Sequence, residues 1–299
     1  MSDTGWLWAL FTLIAAATQT ARNAMQRELT ATLGTAGATH VRFLFGFPFA
    51  VVFLLVLLTV TGQSLPRPGL SFWPWVIDGM GAQIIATALM LAAMSERSFV
   101  VSIAYIKTEP VQVALFGLVF LGDALSVGMV AAILIATTGV IVMSLKPGGG
   151  AADSWRPTVL GLSSGAMFAL SAIGYRGAIL SLEWPDFVMA ATFTLVVGLA
   201  MQAVLLSAYL MLREPKVMRE IMRAWRPSVT AGFLGALASQ FWFLAFALAT
   251  AASVRTLALV EVLFAQAISA LVFGHKTTAR EGLGIVLIVA GVALLVWSH

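Results

Sequence analysis

Long apolar stretches separated by short polar ones run the whole length of this 299-residue chain. A helix needs about 20 apolar residues to cross about 30 Å of hydrocarbon. Ten stretches come near that length: 5–25, 39–60, 72–94, 98–121, 126–145, 158–181, 185–211, 228–250, 253–273 and 281–298. No alternating strand pattern is present, and lipid offers no water to unpaired backbone groups, so helices are the spanning element predicted. Most connections are very short, such as Ser95-Glu96-Arg97 and Gly122-Asp123-Ala124-Leu125, which sets successive helices antiparallel. The pattern predicts an all-α membrane protein with ten transmembrane helices.

Two of these regions lie over each other when shifted by 152 positions, residues 88–145 on 240–297. Glu109 falls on Glu261, Gly122 on Gly274 and Gly139 on Gly291. Pro147-Gly148-Gly149-Gly150 opens a flexible linker, 147–155, between a first repeat, 1–146, and a second, 156–299. Five helices per repeat is an odd number, so the second repeat must enter the membrane from the opposite side. Two inverted five-helix repeats are the symmetry of alternating-access carriers.

Composition agrees with this reading. The chain is 60% hydrophobic and 10% charged, with mean hydropathy +0.97, whereas soluble domains average about 45–50% and about 25%. It has no cysteine, and His40, His275 and His299 are far apart, so no metal site or cofactor is expected. The net charge of +4 comes from basic residues that flank the apolar runs rather than from a nucleic-acid face. Lysine and arginine cluster after the odd-numbered runs, notably Arg213, Lys216, Arg219, Arg223 and Arg226, while little beyond Arg67 follows the even ones. The positive-inside rule then places both termini outside the cytoplasm. The first run lacks a basic segment before it and a cleavage site, so it reads as a membrane helix.

Candidate chemistry follows from helical stripes. Gln83, Thr87, Met90 and Met94 recur at four, three and four residues, and Gly235, Ser239, Trp242 and Phe246 are their counterparts. Small polar groups beside polarizable or aromatic ones suit either an amphipathic organic ligand or bundle packing. A second stripe runs through Ser98, Ser102, Tyr105, Glu109 and Gln112, with Lys107 pointing the other way and Pro110 disturbing the helix. A mid-membrane acid costs several kcal/mol unless paired or hydrated. Glu109 and Glu261 are therefore either proton or ammonium sites or structural partners of Arg22, Lys107, Arg176 or Arg255. Arg22, Arg176, His40 and Arg42 read as anchors that snorkel to the interface. Asp78, on the face away from Gln83, reads as a pairing residue. Of the tryptophans, Trp242 and Trp184 fall outside the interfacial belt. The runs 126–145 and 281–298 carry no interior charge and read as outer buttresses or a dimer contact.

No phosphate-binding G-x-x-x-x-G-K-[ST] loop and no hydrolase constellation is present, so neither ATP-driven transport nor an enzyme is expected. The chain resembles the drug/metabolite transporter (DMT) superfamily, specifically its EamA-type exporters. The resemblance lies in the repeats and in Lys107-Thr108-Glu109-Pro110 through Gly122-Asp123 and Gly139, matched by Glu261, Gly274-His275 and Gly291. Asp123 and His275 depart from the family's turn glutamate, and Val262 from its proline. Similarity to the bacterial aromatic amino acid exporters implies an inner-membrane carrier of aromatic amino acids and apolar drug-like compounds, monomeric or homodimeric. The cavity expected on that basis is lined by Gln83, Thr87, Met90, Met94, Ser102, Tyr105, Glu109, Ser239, Trp242 and Phe246. Coupling or charge pairing would involve Asp78, Lys107, Glu109, Arg176, Arg255 and Glu261. The alternatives are the same fold carrying a nucleotide sugar or sugar phosphate, a channel, or a membrane scaffold.

Overall fold

A computed structural model describes residues 5–96, 105–144, 156–273 and 278–298. Ser98, Ser102, the linker 147–155, Gly274, His275 and His299 lie outside the described residues, as does the side chain of Met94. Every regular element among the described residues is helical: α1 Leu7–Thr61, α2 Phe72–Glu96, α3 Glu109–Phe116, α4 Val127–Ser144, α5 Arg156–Ser181 and α6 Phe187–Arg213 come first. They are followed by α7 Pro215–Arg223, α8 Trp225–Leu248, α9 Ala251–Leu257, α10 Val260–Phe273 and α11 Ala279–Trp297. Six helices among the described residues are long and apolar enough to cross a membrane. Val60, Leu70, Val204, Leu212 and Val286 are exposed large aliphatics that water would not favour. The molecule has the build of a multi-pass membrane protein.

The helices differ from the predicted runs in instructive ways. Residues 26–38, expected to be a connection, are helical apart from Gly34, whose φ of 67° and ψ of 178° suit glycine alone. Good helix formers such as Gln26, Glu28 and Leu29 extend the helix past the apolar run. The Gln26 Nε2 donates to the Ala38 carbonyl at 2.9 Å, tying together the two arms of α1 on either side of Gly34. The first arm's apolar character is diluted by Gln19, Arg22, Asn23 and Gln26. The polar segment 213–226 also folds, as α7, started by Pro215 and buried through Ile221.

The two runs holding the paired acids are interrupted. In the first, Lys107 and Thr108 form a turn, with Thr108 N–H to Tyr105 O at 3.3 Å, before α3 begins at Glu109. Pro110, in the first turn of α3, accounts for that break. In the second, Ala258 and Leu259 form the turn, closed by Leu259 N–H to Thr256 O at 3.1 Å. No proline stands there, because position 262 is valine. The breaks fall within one position of each other under the 152-residue shift. After α3 the chain widens into a π turn, Gly117–Leu121, which Gly122 ends at φ 68°.

The chain divides into two compact units, Met1–Ile84 with Ser171–Ala249, and Ile85–Leu170 with Thr250–His299. Each draws on both halves of the sequence. In the first unit α8 packs on α1 through small residues. A Cβ on Gly232 would meet Phe45 at 2.5 Å, and one on Gly46 the Gly232 carbonyl at 3.3 Å. In the second, α4 and α11 close on each other just as tightly. A Cβ on Gly139 would strike Gly284 O and Ile288 N at 2.8 Å, and one on Gly291 would strike Ala136 N at 2.7 Å and Ala132 O at 2.8 Å. These two sets of contacts exchange under the 152-residue shift: Gly139 becomes Gly291, while Gly284 and Ile288 become Ala132 and Ala136. Ala136, Val140, Leu259 and Ile288 form the apolar core there.

Candidate functional site

In the first unit the polar groups that the apolar helices must bury bond to one another in two sets of amides and hydroxyls. The Gln83 Oε1 accepts from the Tyr175 hydroxyl at 3.3 Å and from the Gln202 Nε2 at 2.9 Å. That nitrogen also donates to the Met80 carbonyl at 3.1 Å. Gln240 donates to Thr192 at 2.9 Å. An amide in hydrocarbon without such partners costs several kcal/mol, so these bonds fix which faces turn inward. Glycines make room for the tyrosine: a Cβ on Gly198 would lie 2.8 Å from its ring, and one on Gly79 3.0 Å. The ring packs on Phe243, with centroids 4.5 Å apart.

The α8 stripe faces inward as its spacing predicts. Ser239, Trp242 and Phe246 are all buried, and the two rings stack at 6.3 Å and 23°. Trp242 Nε1 donates to Gln19 Oε1 at 3.0 Å. At the helix end the Arg176 guanidinium donates to the Phe246 carbonyl at 2.6 Å and to Ala249 O, neutralising the negative pole of α8. Arg176 is therefore a helix cap and not a snorkelling anchor. The same correction applies to Arg22, His40 and Arg42, which are buried among helices. His40 Nε2 shares a hydrogen bond with Ser207 Oγ at 3.0 Å. A short first run made them look terminal; the longer helix of 7–33 and the fold of the second arm enclose them. Asp78 is exposed near the start of α2 and makes no ion pair among the described residues. Just beyond the end of α5, Gln63 joins Trp184 at 3.3 Å to Asp186 at 2.8 Å, and Asp186 caps α6 through Val188 N–H.

In the second unit the four mid-chain charges are buried as two ion pairs. Glu109 Oε1 lies 3.1 Å from Arg255 Nε, and Lys107 pairs with Glu261. Each acid is thus held by a base from the other half of the sequence. Both acids stand in the first turn of a helix that begins at a break, where the helix dipole favours negative charge. In a continuous helix Lys107 and Glu109 would face nearly opposite ways. The turn at Lys107 and Thr108 lets both point into the unit. Gln112, on the same stripe, has its Oε1 buried with no hydrogen-bond partner among the described residues, 3.3 Å from where a Cβ on Gly165 would sit. Thr87 and Met90 are buried on α2, and Tyr105 is half-buried. Ser164 donates to the Ala86 carbonyl at 2.9 Å.

Sequence reasoning did not single out Gln19, Tyr175, Gln202 or Gln240. Their signal is a hydrogen-bonding side chain deep in an apolar run, which obliges a partner on a neighbouring helix.

No protein-family model matches the chain, and no curated protein matches it either. Among solved structures it is similar to a crystal structure described only as that of a protein, with a TM-score of 0.70 at 16% identity. The similarity covers 98% of this chain and 95% of that one. The two share a fold from end to end.

Proposed function

We propose that the chain is a secondary-active carrier of the drug/metabolite transporter superfamily, EamA-type, with ten transmembrane helices in two inverted five-helix repeats. It exports aromatic amino acids and apolar drug-like compounds across a bacterial inner membrane by alternating access, with both termini on the periplasmic side. One observation carries the reading. The helices of 105–121 and 251–273 break at equivalent positions, and the acid at each new N-terminus is paired with a base from the other repeat. Discontinuous membrane helices at equivalent places in two repeats are the usual mark of a substrate or coupling site. The swapped contacts of Gly139 and Gly291 support the repeat symmetry.

The aromatic preference is supported by the stacked Trp242 and Phe246 and by Gln19, which orients the indole. Stacking and edge contacts on such a pair favour a flat apolar body. The paired acids also suit a switching element, since an ion pair in low dielectric resists partial separation and has two well-defined arrangements, closed or exchanged.

Counterflow of radiolabelled phenylalanine in proteoliposomes, with unlabelled tryptophan as competitor, tests this. Saturable uptake that tryptophan competes is the expected result. No uptake by folded protein removes the aromatic substrate, and uptake that never saturates replaces the carrier with a channel.

A further inference from the structure

A cleft of about 540 Å³ lies in the first unit, between the first arm of α1 and the corner where α7 meets α8. Met25, Leu29 and Leu33, four residues apart on one helix face, form an apolar wall, and Pro227 stands across from them. Three charged residues complete the lining: Glu28 from α1, and Glu220 and Arg223 from α7. All three are exposed, and none makes an ion pair among the described residues. Leu29 and Leu33, by contrast, are buried. The cleft therefore has an apolar floor and a charged rim, on which carboxylates outnumber the guanidinium.

This cleft sits where apolar spans end. Glu28–Thr61 and Trp225–Leu248 begin beside it, and Phe187–Arg213 ends just before α7. Trp225 is 52% exposed, and the Arg226 guanidinium lies 5.5 Å from the centre of its ring. Tryptophan and arginine at the end of a span mark the level of lipid headgroups. An occupant there has hydrocarbon on one side and water on the other, which is the position of a phospholipid. Glu220 and Arg223 are three residues apart on one helix, so their Cβ atoms stand about 5–6 Å apart. That spacing is on the scale of the two-carbon bridge between phosphate and ammonium in a headgroup of both signs. A wholly anionic headgroup would meet two carboxylates, and a trimethylated ammonium has no N–H to give them. A primary ammonium has three. We infer that the cleft binds a phospholipid with an ethanolamine headgroup. Arg223 takes the phosphate, Glu28 and Glu220 take the ammonium, and an acyl chain lies along Met25, Leu29 and Leu33. The site is separate from that of any transported substrate and does not rest on the carrier reading.

The test is retention of dioleoyl phosphatidylethanolamine by the purified full-length protein in detergent, counted by native mass spectrometry. Phosphatidylcholine and phosphatidylglycerol with the same chains are the rivals. The ethanolamine lipid should be retained about two- to fivefold better than the choline lipid, the worth of an exposed charge pair. Glu28→Gln combined with Glu220→Gln should bring the two lipids level, whereas Arg223→Gln should weaken both by a similar factor. These side chains are exposed, so the variants keep the fold. Lys216→Gln, on the same helix but outside the cleft, should change neither lipid. Glycerophosphoethanolamine, the headgroup without its chains, should compete poorly. Equal retention of ethanolamine and choline lipids, or a preference that survives the double glutamine variant, would overturn the headgroup assignment. Tightest retention of phosphatidylglycerol would overturn it in favour of an anionic lipid. A loss in Lys216→Gln as large as that in Arg223→Gln would reduce the effect to general surface charge. Strong competition by the chain-free headgroup would put a soluble zwitterion in place of the lipid. Phenylalanine counterflow can fail without altering any of these outcomes.

Discussion

The two compact units bury charge in opposite ways. The second encloses two acids and two bases and pairs them across the repeats. The first encloses Arg22 and Arg42 and no acid among its described residues, and surrounds them with amides, hydroxyls and aromatic rings. A paired set satisfies itself and is suited to hold or switch a conformation. In the first unit the buried arginines instead lie among neutral groups, with Arg22 donating to Asn23 and Arg42 beside the Phe43 ring.

The largest expected effect comes from breaking a pair in the second unit. Arg255→Leu leaves Glu109 buried and unmatched, and should cost about 3–5 kcal/mol, read as loss of resistance to denaturant in detergent. The double variant Glu109→Leu with Arg255→Leu removes both charges and should recover most of that loss. If the single and double variants were equally destabilised, the ion pair would not be what holds the unit.

A smaller effect tests the swapped glycine contacts. Gly139→Leu and Gly291→Leu each drive a side chain into backbone less than 3 Å away. Overpacking of this kind costs about 1–3 kcal/mol, and the two substitutions should cost about the same. A large inequality in their melting temperatures would mean that the two repeats do not use this contact equivalently.

The smallest effect is at the breaks themselves. The turn at Ala258 and Leu259 forms without proline, so the turn at Lys107 and Thr108 should survive Pro110→Ala. The loss should stay under about 1 kcal/mol, the cost of a freer unfolded chain. A change in phenylalanine counterflow without a change in stability would instead give Pro110 a part in the transport cycle.

Much of this was legible before any coordinates. Positions of six long apolar helices follow from length and hydropathy, because a lipid-facing helix has to be apolar along its whole span. The matched acids at 109 and 261 emerge from a shift of the sequence against itself, and the stripe of Ser239, Trp242 and Phe246 from the helical period. The stripe's inward orientation suits the indole N–H, which needs a partner that lipid lacks and finds it in Gln19.

Where structure and sequence pattern part, the cause is packing between helices distant in sequence. Their places at the ends of apolar runs put Arg22, His40 and Arg42 at the interface, yet helix propensity carries the first arm of α1 on to residue 33 and packing encloses all three. The same end-of-helix position suggests an anchor at Arg176, which instead caps α8 from a helix far away in sequence. The second break had no local signal, since Val262 replaces the proline that marks the first.

The sequence by itself determined that the chain is a helical membrane protein, where six of its long apolar helices run, and that residues 88–145 and 240–297 carry one apolar pattern. These depend on local propensity and on transfer to lipid, which act residue by residue. Only the tertiary structure decided which base answers which acid and that the compact units interleave the halves. Those depend on which helices approach closely enough to exclude lipid, and such approach is set by glycines and amides on separate helices acting together.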